Sequence, residues 1–245
     1  MSDLNAVFEF INLIKHKLKS GEAACGNEIE KLIRLIKLYA ENENNFHYIN
    51  KNKILFRARK YTEPDAETRY NNPVGIFAGY DAAGSFVNTN IHQNTGSRCN
   101  SVGTPYLYTA LSEICCIYEV RAKKGDYISV ARIKVEQPLK ILCFNKRFWF
   151  VDQKEPILSE ENNAVLCSYL AYEFSRKVDN SNDYALCQYV SEIVKSLGYD
   201  GMSYFSALPS VESLKDEAKT NIVIFNYDKC KPISSSLRKI TNENI

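Results

Sequence analysis

The stretch Gly96-Ser97-Arg98-Cys99-Asn100-Ser101-Val102-Gly103-Thr104-Pro105-Tyr106-Leu107-Tyr108-Thr109-Ala110 runs straight into the amphipathic segment Leu111 to Glu119. It sets an arginine, a tyrosine and a glutamate around one strand and the helix that follows. A guanidinium grips phosphate oxygens through paired hydrogen bonds, and a carboxylate stabilises positive charge that develops on a sugar. These are the groups needed to hold a phosphorylated sugar and to stabilise a cation formed on it, so the chemistry points to an enzyme acting on a nucleotide.

The elements that must position these residues can be read from periodicity. Leu4, Val7, Phe8, Ile11, Ile14 and Leu18 recur at helical spacing, Gly21 interrupts the run, and Ile29, Leu32, Ile33, Ile36 and Tyr39 form a second set, which predicts an N-terminal helical hairpin. The polar run Glu41 to Asn45 ends it, and the strand-like Ile54-Leu55-Phe56-Arg57-Ala58-Arg59 begins a different architecture. From Tyr61 to Ser101 there is little periodicity, as in a long binding loop; Asp81 and Ser85 within it are placed to close over a ligand or to shape a turn. A strand over Tyr106 to Thr109, a helix over Ser112 to Glu119 and a half-buried strand over Tyr127 to Ile133 follow. Helices are expected over Ala164 to Lys177 and Tyr184 to Leu197, with Gly198 closing the second. Two short strands, Gly201 to Tyr204 and Asn221 to Phe225, end the chain. Strands outnumber helices in this second part without alternating with them, so the fold class is α+β. The glycine-rich phosphate loops of dinucleotide-binding and P-loop folds are missing from the sequence, so side chains must hold any nucleotide.

Composition agrees with a globular enzyme. The chain has 245 residues, 45% of them apolar, and a net charge of +2; such a balance gives no electrostatic reason to expect nucleic acid or a membrane as partner. The cysteines Cys25, Cys99, Cys115, Cys116, Cys143, Cys167, Cys187 and Cys230 show no C-x-x-C spacing, and adjacent Cys115 and Cys116 point to different sides of one helix in a structural role. The histidines His16, His47 and His92 have no paired ligand spacing, so no metal is expected. The N-terminus lacks a signal-peptide pattern and no segment approaches transmembrane length, which with the cysteine usage predicts a reducing cytoplasm.

Five blocks together carry a resemblance: Phe56-Arg57-Ala58-Arg59; Arg98-x-Asn100-x-x-Gly103-x-Pro105-x-Leu107-Tyr108-x-Ala110; Glu119-Val120; Tyr199-Asp200-Gly201-Met202-x-Tyr204-x-Ser206; and Asn221 to Phe225. In this order they resemble the RES domain, a family named for an arginine, a glutamate and a serine. The resemblance runs from about Lys53 to Asp228. It implies an ADP-ribosyltransferase-like RES domain over 49–245, preceded by an N-terminal helical extension over 1–48. Members degrade NAD by cleaving the nicotinamide–ribose bond, often with inorganic phosphate as acceptor, and many are toxins neutralised by a helix-turn-helix antitoxin. The expected activity is therefore that of an NAD phosphorylase or glycohydrolase in a bacterial toxin–antitoxin pair, with NAD as substrate, phosphate as co-substrate and no further cofactor.

Carried over residue by residue, the resemblance makes Glu119 the carboxylate that stabilises the oxocarbenium-like ribose. Arg57 and Arg98 grip the diphosphate or the incoming phosphate, with Arg59 on the same strand face as a substitute for Arg57. Tyr108 stacks on or hydrogen-bonds the nicotinamide ribose, and Ser206 positions the nicotinamide end or the phosphate, since its hydroxyl has no activating base. Cys99 and Ser97 depart mildly from the family pattern. The alternatives are transfer of ADP-ribose to a macromolecule and a non-catalytic interaction module built on the helical hairpin.

Overall fold

The structure is a computed structural model that describes residues 2–20, 26–87, 96–145, 164–176, 181–206 and 215–241. The predicted hairpin forms as α1 (Ser2–Ser20) and α2 (Asn27–Glu41); Gly21 and Cys25 lie outside the described residues. β1 (Phe46–Ile49), β2 (Ile54–Lys60), α3 (Ala66–Asn71), β3 (Leu107–Ala110), α4 (Glu113–Glu119), β4 (Tyr127–Val135) and β5 (Leu139–Cys143) come next. They are followed by α5 (Ala164–Ser175), α6 (Ala185–Ser196), β6 (Gly201–Phe205), β7 (Thr220–Ile224) and β8 (Cys230–Lys239). The α+β class expected from the sequence is therefore what the chain adopts.

Among the described residues, the strands join one 8-stranded sheet in the order β1-β5-β6-β7-β3-β2-β4-β8. Only β5 and β6 run parallel; the other neighbouring pairs are antiparallel. Because side chains alternate across a strand, the sheet has two distinct apolar faces. Leu142, Met202, Tyr204 and Val223 meet α1, α2, α5 and α6 in the largest core cluster. Ile141, Ile222, Ile224, Leu107, Leu55 and Ile133 face the other way, under Val87 and Phe86. The N-terminal helices share the core of the sheet: Val7, Ile11, Ile14, Leu32 and Ile36 are buried in the same cluster, and the Tyr39 hydroxyl donates to the Cys143 carbonyl at 2.5 Å.

Three strands and one helix escape the periodicity reading. The chain does not end at Phe225: the 10-residue β8 pairs along β4 from Tyr127↔Lys239 to Val135↔Cys230. β8 is a polar edge strand, and its Pro232 sits beside the register shift between Arg132 and Ile133, the kind of site where an edge tolerates proline. β1 and β5 are short strands that pair with each other. The segment from Tyr61 contains α3, and residues 76–87 are fastened across the sheet. Ala78 N donates to Ser235 O at 3.0 Å and Tyr80 N to Ser129 Oγ at 2.9 Å. A Cβ at Gly79 would lie 2.2 Å from Ser129 Oγ, so only glycine permits this approach. Asp81 accepts from Gly84 N at 2.7 Å and the buried Ser85 donates to Tyr80 O at 2.9 Å. Both side chains are engaged in local hydrogen bonds that shape this turn.

Candidate active site

The site begins as an opening in the sheet. β2 pairs with β4 at every residue from Ile54 to Lys60, and β3 pairs with β7 from Leu107 to Ala110. Between themselves, β2 and β3 share only Phe56↔Ala110. Past that pair the two strands diverge, and Arg57 stands at the mouth of the gap. Its Nη1 donates to the Tyr108 carbonyl across the opening at 3.4 Å, while its Nε is buried without any hydrogen-bond partner. Burial, and then repulsion from Arg59, push the Arg57 guanidinium down to about 10, which leaves it cationic at neutral pH. An unsatisfied buried donor on a cation costs free energy until an acceptor arrives, so this position is made for an anion.

A cavity of about 150 Å³ opens at the same place, lined by Arg57, Tyr108, Cys116, Glu119, Tyr204 and Asn221 among others. A dry cavity of about 150 Å³ holds one benzene-sized ring. A ligand larger than such a ring can place only one end inside it, and the remainder must extend outward.

Glu119 reaches the cavity because α4 is held at both ends. Ser112 Oγ caps the helix, accepting from Cys115 N at 3.1 Å, and donates to Ala218 O at 2.5 Å. Glu119 is the final residue of α4. A carboxylate there opposes the helix dipole by roughly 0.3–1 kcal/mol, so helix stability gives no reason for it. Its Oε1 accepts from Asn221 Nδ2 at 2.7 Å, and the residue remains exposed. Glu113, at the start of the same helix, is turned away into a surface ion pair with Arg238 at 2.8 Å.

Tyr108 contributes to the cavity wall but its hydroxyl is committed elsewhere. It donates to Asn100 Oδ1 at 2.6 Å and accepts from Cys99 N at 3.0 Å. Burial pushes its pKa well above the usual tyrosine value, so it stays a neutral phenol. Asn100 Nδ2 in turn donates to Thr104 O at 2.7 Å. The Asn100–Tyr108 spacing in the sequence is thus the closure of a loop around one hydroxyl.

The structure brings Arg57, Tyr108 and Glu119 to one cavity and places Arg98 and Ser206 outside its lining. Arg98 Nη1 donates to the carbonyls of Glu173 and Arg176 at 3.1 and 2.9 Å, and its guanidinium lies 5.1 Å from the Tyr184 ring. It holds the C-terminal end of α5, whose exposed carbonyls need donors. Beside it, buried Glu173 is paired with Lys15 at 2.5 Å and Arg176 at 2.7 Å. Ser206 is buried just past β6, its N donating to Lys219 O at 2.9 Å; Tyr204, two residues earlier on the same strand face, lines the cavity instead. Arg59 donates to Gly84 O at 2.5 Å and lies 5.0 Å from the Tyr80 ring. His47 meets Cys143 Sγ at 2.9 Å on the β1 edge, and His92 lies outside the described residues. Among the described residues no group of three or more His, Cys, Asp or Glu converges to hold a metal, and no helix is long and apolar enough to cross a membrane.

Comparison with known proteins bears on this geometry. The family model for the RES domain matches residues 73–239, more than half of the chain. The chain belongs to the RES domain family. Among solved structures, a chain of the M. tuberculosis MbcT–MbcA toxin–antitoxin complex is similar at 15% identity and a TM-score of 0.46, over 86% of this chain and 93% of that one. Comparison with the curated proteins yields no match. The RES match takes in Arg98, Tyr108, Glu119, Ser206 and Asn221, while β2 with Arg57 precedes it.

Two cavity residues, Asn221 and Tyr204, are missed as site residues by sequence reasoning. The signal for Asn221 is a single amide heading the apolar run Asn221 to Phe225, a polar group carried into a buried strand. Such a group must find a partner, and here the partner is Glu119.

Proposed function

We propose that this RES protein consumes NAD by breaking the bond between nicotinamide and ribose, with inorganic phosphate as acceptor. The observation that carries the reading is Arg57: a cation with a buried orphan donor, standing at a ring-sized cavity whose lining also holds the Glu119 carboxylate. The pyridinium ring enters the cavity against Tyr108 and Tyr204, whose ring faces suit a cation. Arg57 receives the adjacent phosphate. The bond from C1′ to the nicotinamide nitrogen breaks with its electron pair leaving on nitrogen, so the departing group is neutral and needs no general acid. Glu119 stabilises the positive charge that grows on the ribose, and a phosphate oxygen forms the new bond to C1′. Unchecked, this activity drains a cell of NAD. A toxin role restrained by an antitoxin partner of the helix-turn-helix kind, within a bacterial cytoplasm, belongs to the same reading and rests on the family resemblance.

The test is incubation of purified protein with NAD, with and without phosphate and with a cell lysate. Free nicotinamide and a phosphorylated ADP-ribose are expected, faster with phosphate. ADP-ribose alone, indifferent to phosphate, would make the protein a hydrolase, and label retained on macromolecules would make it a transferase. Glu119→Gln should cut turnover by about 10²- to 10³-fold, the usual effect of removing one preorganised electrostatic contact, while NAD still binds. Glu113→Gln should leave turnover unchanged. Strong expression should arrest bacterial growth, and the Glu119→Gln protein should not.

A further inference from the structure

Glu119 presents a problem of aim. It is exposed, it sits at the last turn of α4 against the helix dipole, and two residues further on the backbone at Arg121 adopts the left-handed conformation with φ of 48°. A carboxylate with those surroundings would swing through several rotamers in water. The chemistry requires it at one place beside the ribose.

Asn221 supplies the missing constraint. It is a buried residue on β7, paired across the sheet with Ala110 of β3 and Tyr204 of β6, so its backbone is fixed on both sides. Its Nδ2 donates to Glu119 Oε1 at 2.7 Å. An amide can present either its NH2 or its oxygen, and only the NH2 end attracts a carboxylate. The choice is made by Cys115, whose Sγ lies 3.5 Å from Asn221 Oδ1 and donates to it. Cys115 is buried on α4 one helical turn before Glu119. Burial and the nearby Glu119 charge push its thiol up to about 12, which keeps the S–H in place as a donor.

Resting on the NAD-cleaving reading above, we infer that Asn221 is a positioning residue that aims the Glu119 carboxylate, and that Cys115 locks the orientation of its amide. The relay runs from a buried thiol through a buried amide to the one exposed end of the chain of contacts. It spans two elements, α4 and β7, so it also ties the helix that carries Glu119 to the strand beneath. The contact leaves Glu119 Oε2 without a part in it.

Four variants test the inference with NAD turnover and NAD binding measured side by side. Asn221→Ala should lower kcat by about 10²-fold, the effect of letting a catalytic group drift by roughly 1 Å, with the NAD dissociation constant changed less than about threefold. Asn221→Asp places a second carboxyl at the same distance. Two carboxylates that close hold a proton between them, so the acid limb of the pH–rate profile should move to higher pH, whereas a residue that merely supports the fold would scale activity equally at every pH. Cys115→Ala should lose activity in part and Cys115→Ser, which keeps a donor, should restore it. A wild-type-shaped profile for Asn221→Asp, or near-normal kcat for Asn221→Ala, overturns the inference while leaving the NAD reading intact. If the wild type consumes no NAD, the reading fails and the contact is still measurable by carboxyl ¹³C titration of the Asn221→Asp protein: coupled, well-separated steps for the pair support it, and two independent titrations overturn it.

Discussion

Arg98→Ala separates two roles that a guanidinium can play at the position the family resemblance gives to a phosphate ligand. Arg98 donates through Nη1 to two carbonyls at the end of α5, at 3.1 and 2.9 Å, and lies 5.1 Å from the Tyr184 ring. Hydrogen bonds from a charged donor contribute roughly 1.5–3 kcal/mol each, and a half-exposed cation–π contact roughly 0.5–1 kcal/mol. One nitrogen serves both carbonyls and solvent reaches the side chain, so the combined effect is about 3 kcal/mol. For a chain of this size each kcal/mol moves Tm by about 2–4 °C, which gives a fall of about 6–12 °C. Differential scanning calorimetry measures that fall, and calorimetric titration of NAD into the Arg98→Ala protein carrying Glu119→Gln measures affinity without turnover. If Arg98 holds α5, Tm falls and affinity changes little. A Tm within about 2 °C of the parent together with a tenfold or greater loss of NAD affinity would refute the reasoning and return Arg98 to the substrate.

Other substitutions test separate parts of the structure. Arg121→Gly removes a side chain from a left-handed position with φ of 48°, where a non-glycine residue is strained by about 1 kcal/mol; Tm should rise by about 2–4 °C. Asp200 is buried, which alone would raise its pKa, but hydrogen bonds from Lys229, Asn226 and the Lys140 N–H outweigh burial and hold it below the usual carboxylate range. A depressed carboxyl stabilises the fold above its unfolded value of about 3.9 and loses that contribution as pH falls further, so urea unfolding of the wild type should weaken below about pH 4 more steeply than that of Asp200→Asn. Equal slopes would contradict this. Ser203 Oγ is buried without a partner, so Ser203→Ala should leave stability unchanged or raise it, and a loss above about 1 kcal/mol in urea unfolding would show that the hydroxyl has a role.

The sequence by itself determined what is local. Apolar residues at helical spacing placed α1, α2, α5 and α6 within a few residues of their observed ends, and Ser112 followed by an amphipathic run marked the capped start of α4. Gly198, with φ of 80°, stands where a helix needs a left-handed residue to stop. The ordered blocks around Arg57, Arg98, Tyr108, Glu119 and Asn221 pointed to the RES family, because side-chain identity at fixed spacing is itself a local property. β8 was illegible for the opposite reason: an edge strand facing water on one side needs few apolar residues, and its pairing with β4 is written in backbone hydrogen bonds that any sequence can make.

Only the tertiary structure decided which of those residues meet. Asn221 and Glu119 are 102 positions apart and touch because β7 runs beneath the end of α4. Arg98 is 75 positions from Glu173, and its direction is set by where α5 ends, which no pattern around Arg98 encodes. The opening that exposes Arg57 is likewise a property of the sheet: β2 and β3 part after Phe56↔Ala110 because each is held more extensively by its other neighbour. Local propensity fixes what an element is, but the place where two strands stop pairing depends on competition among contacts distant in the chain, and that competition is settled only when the whole sheet forms.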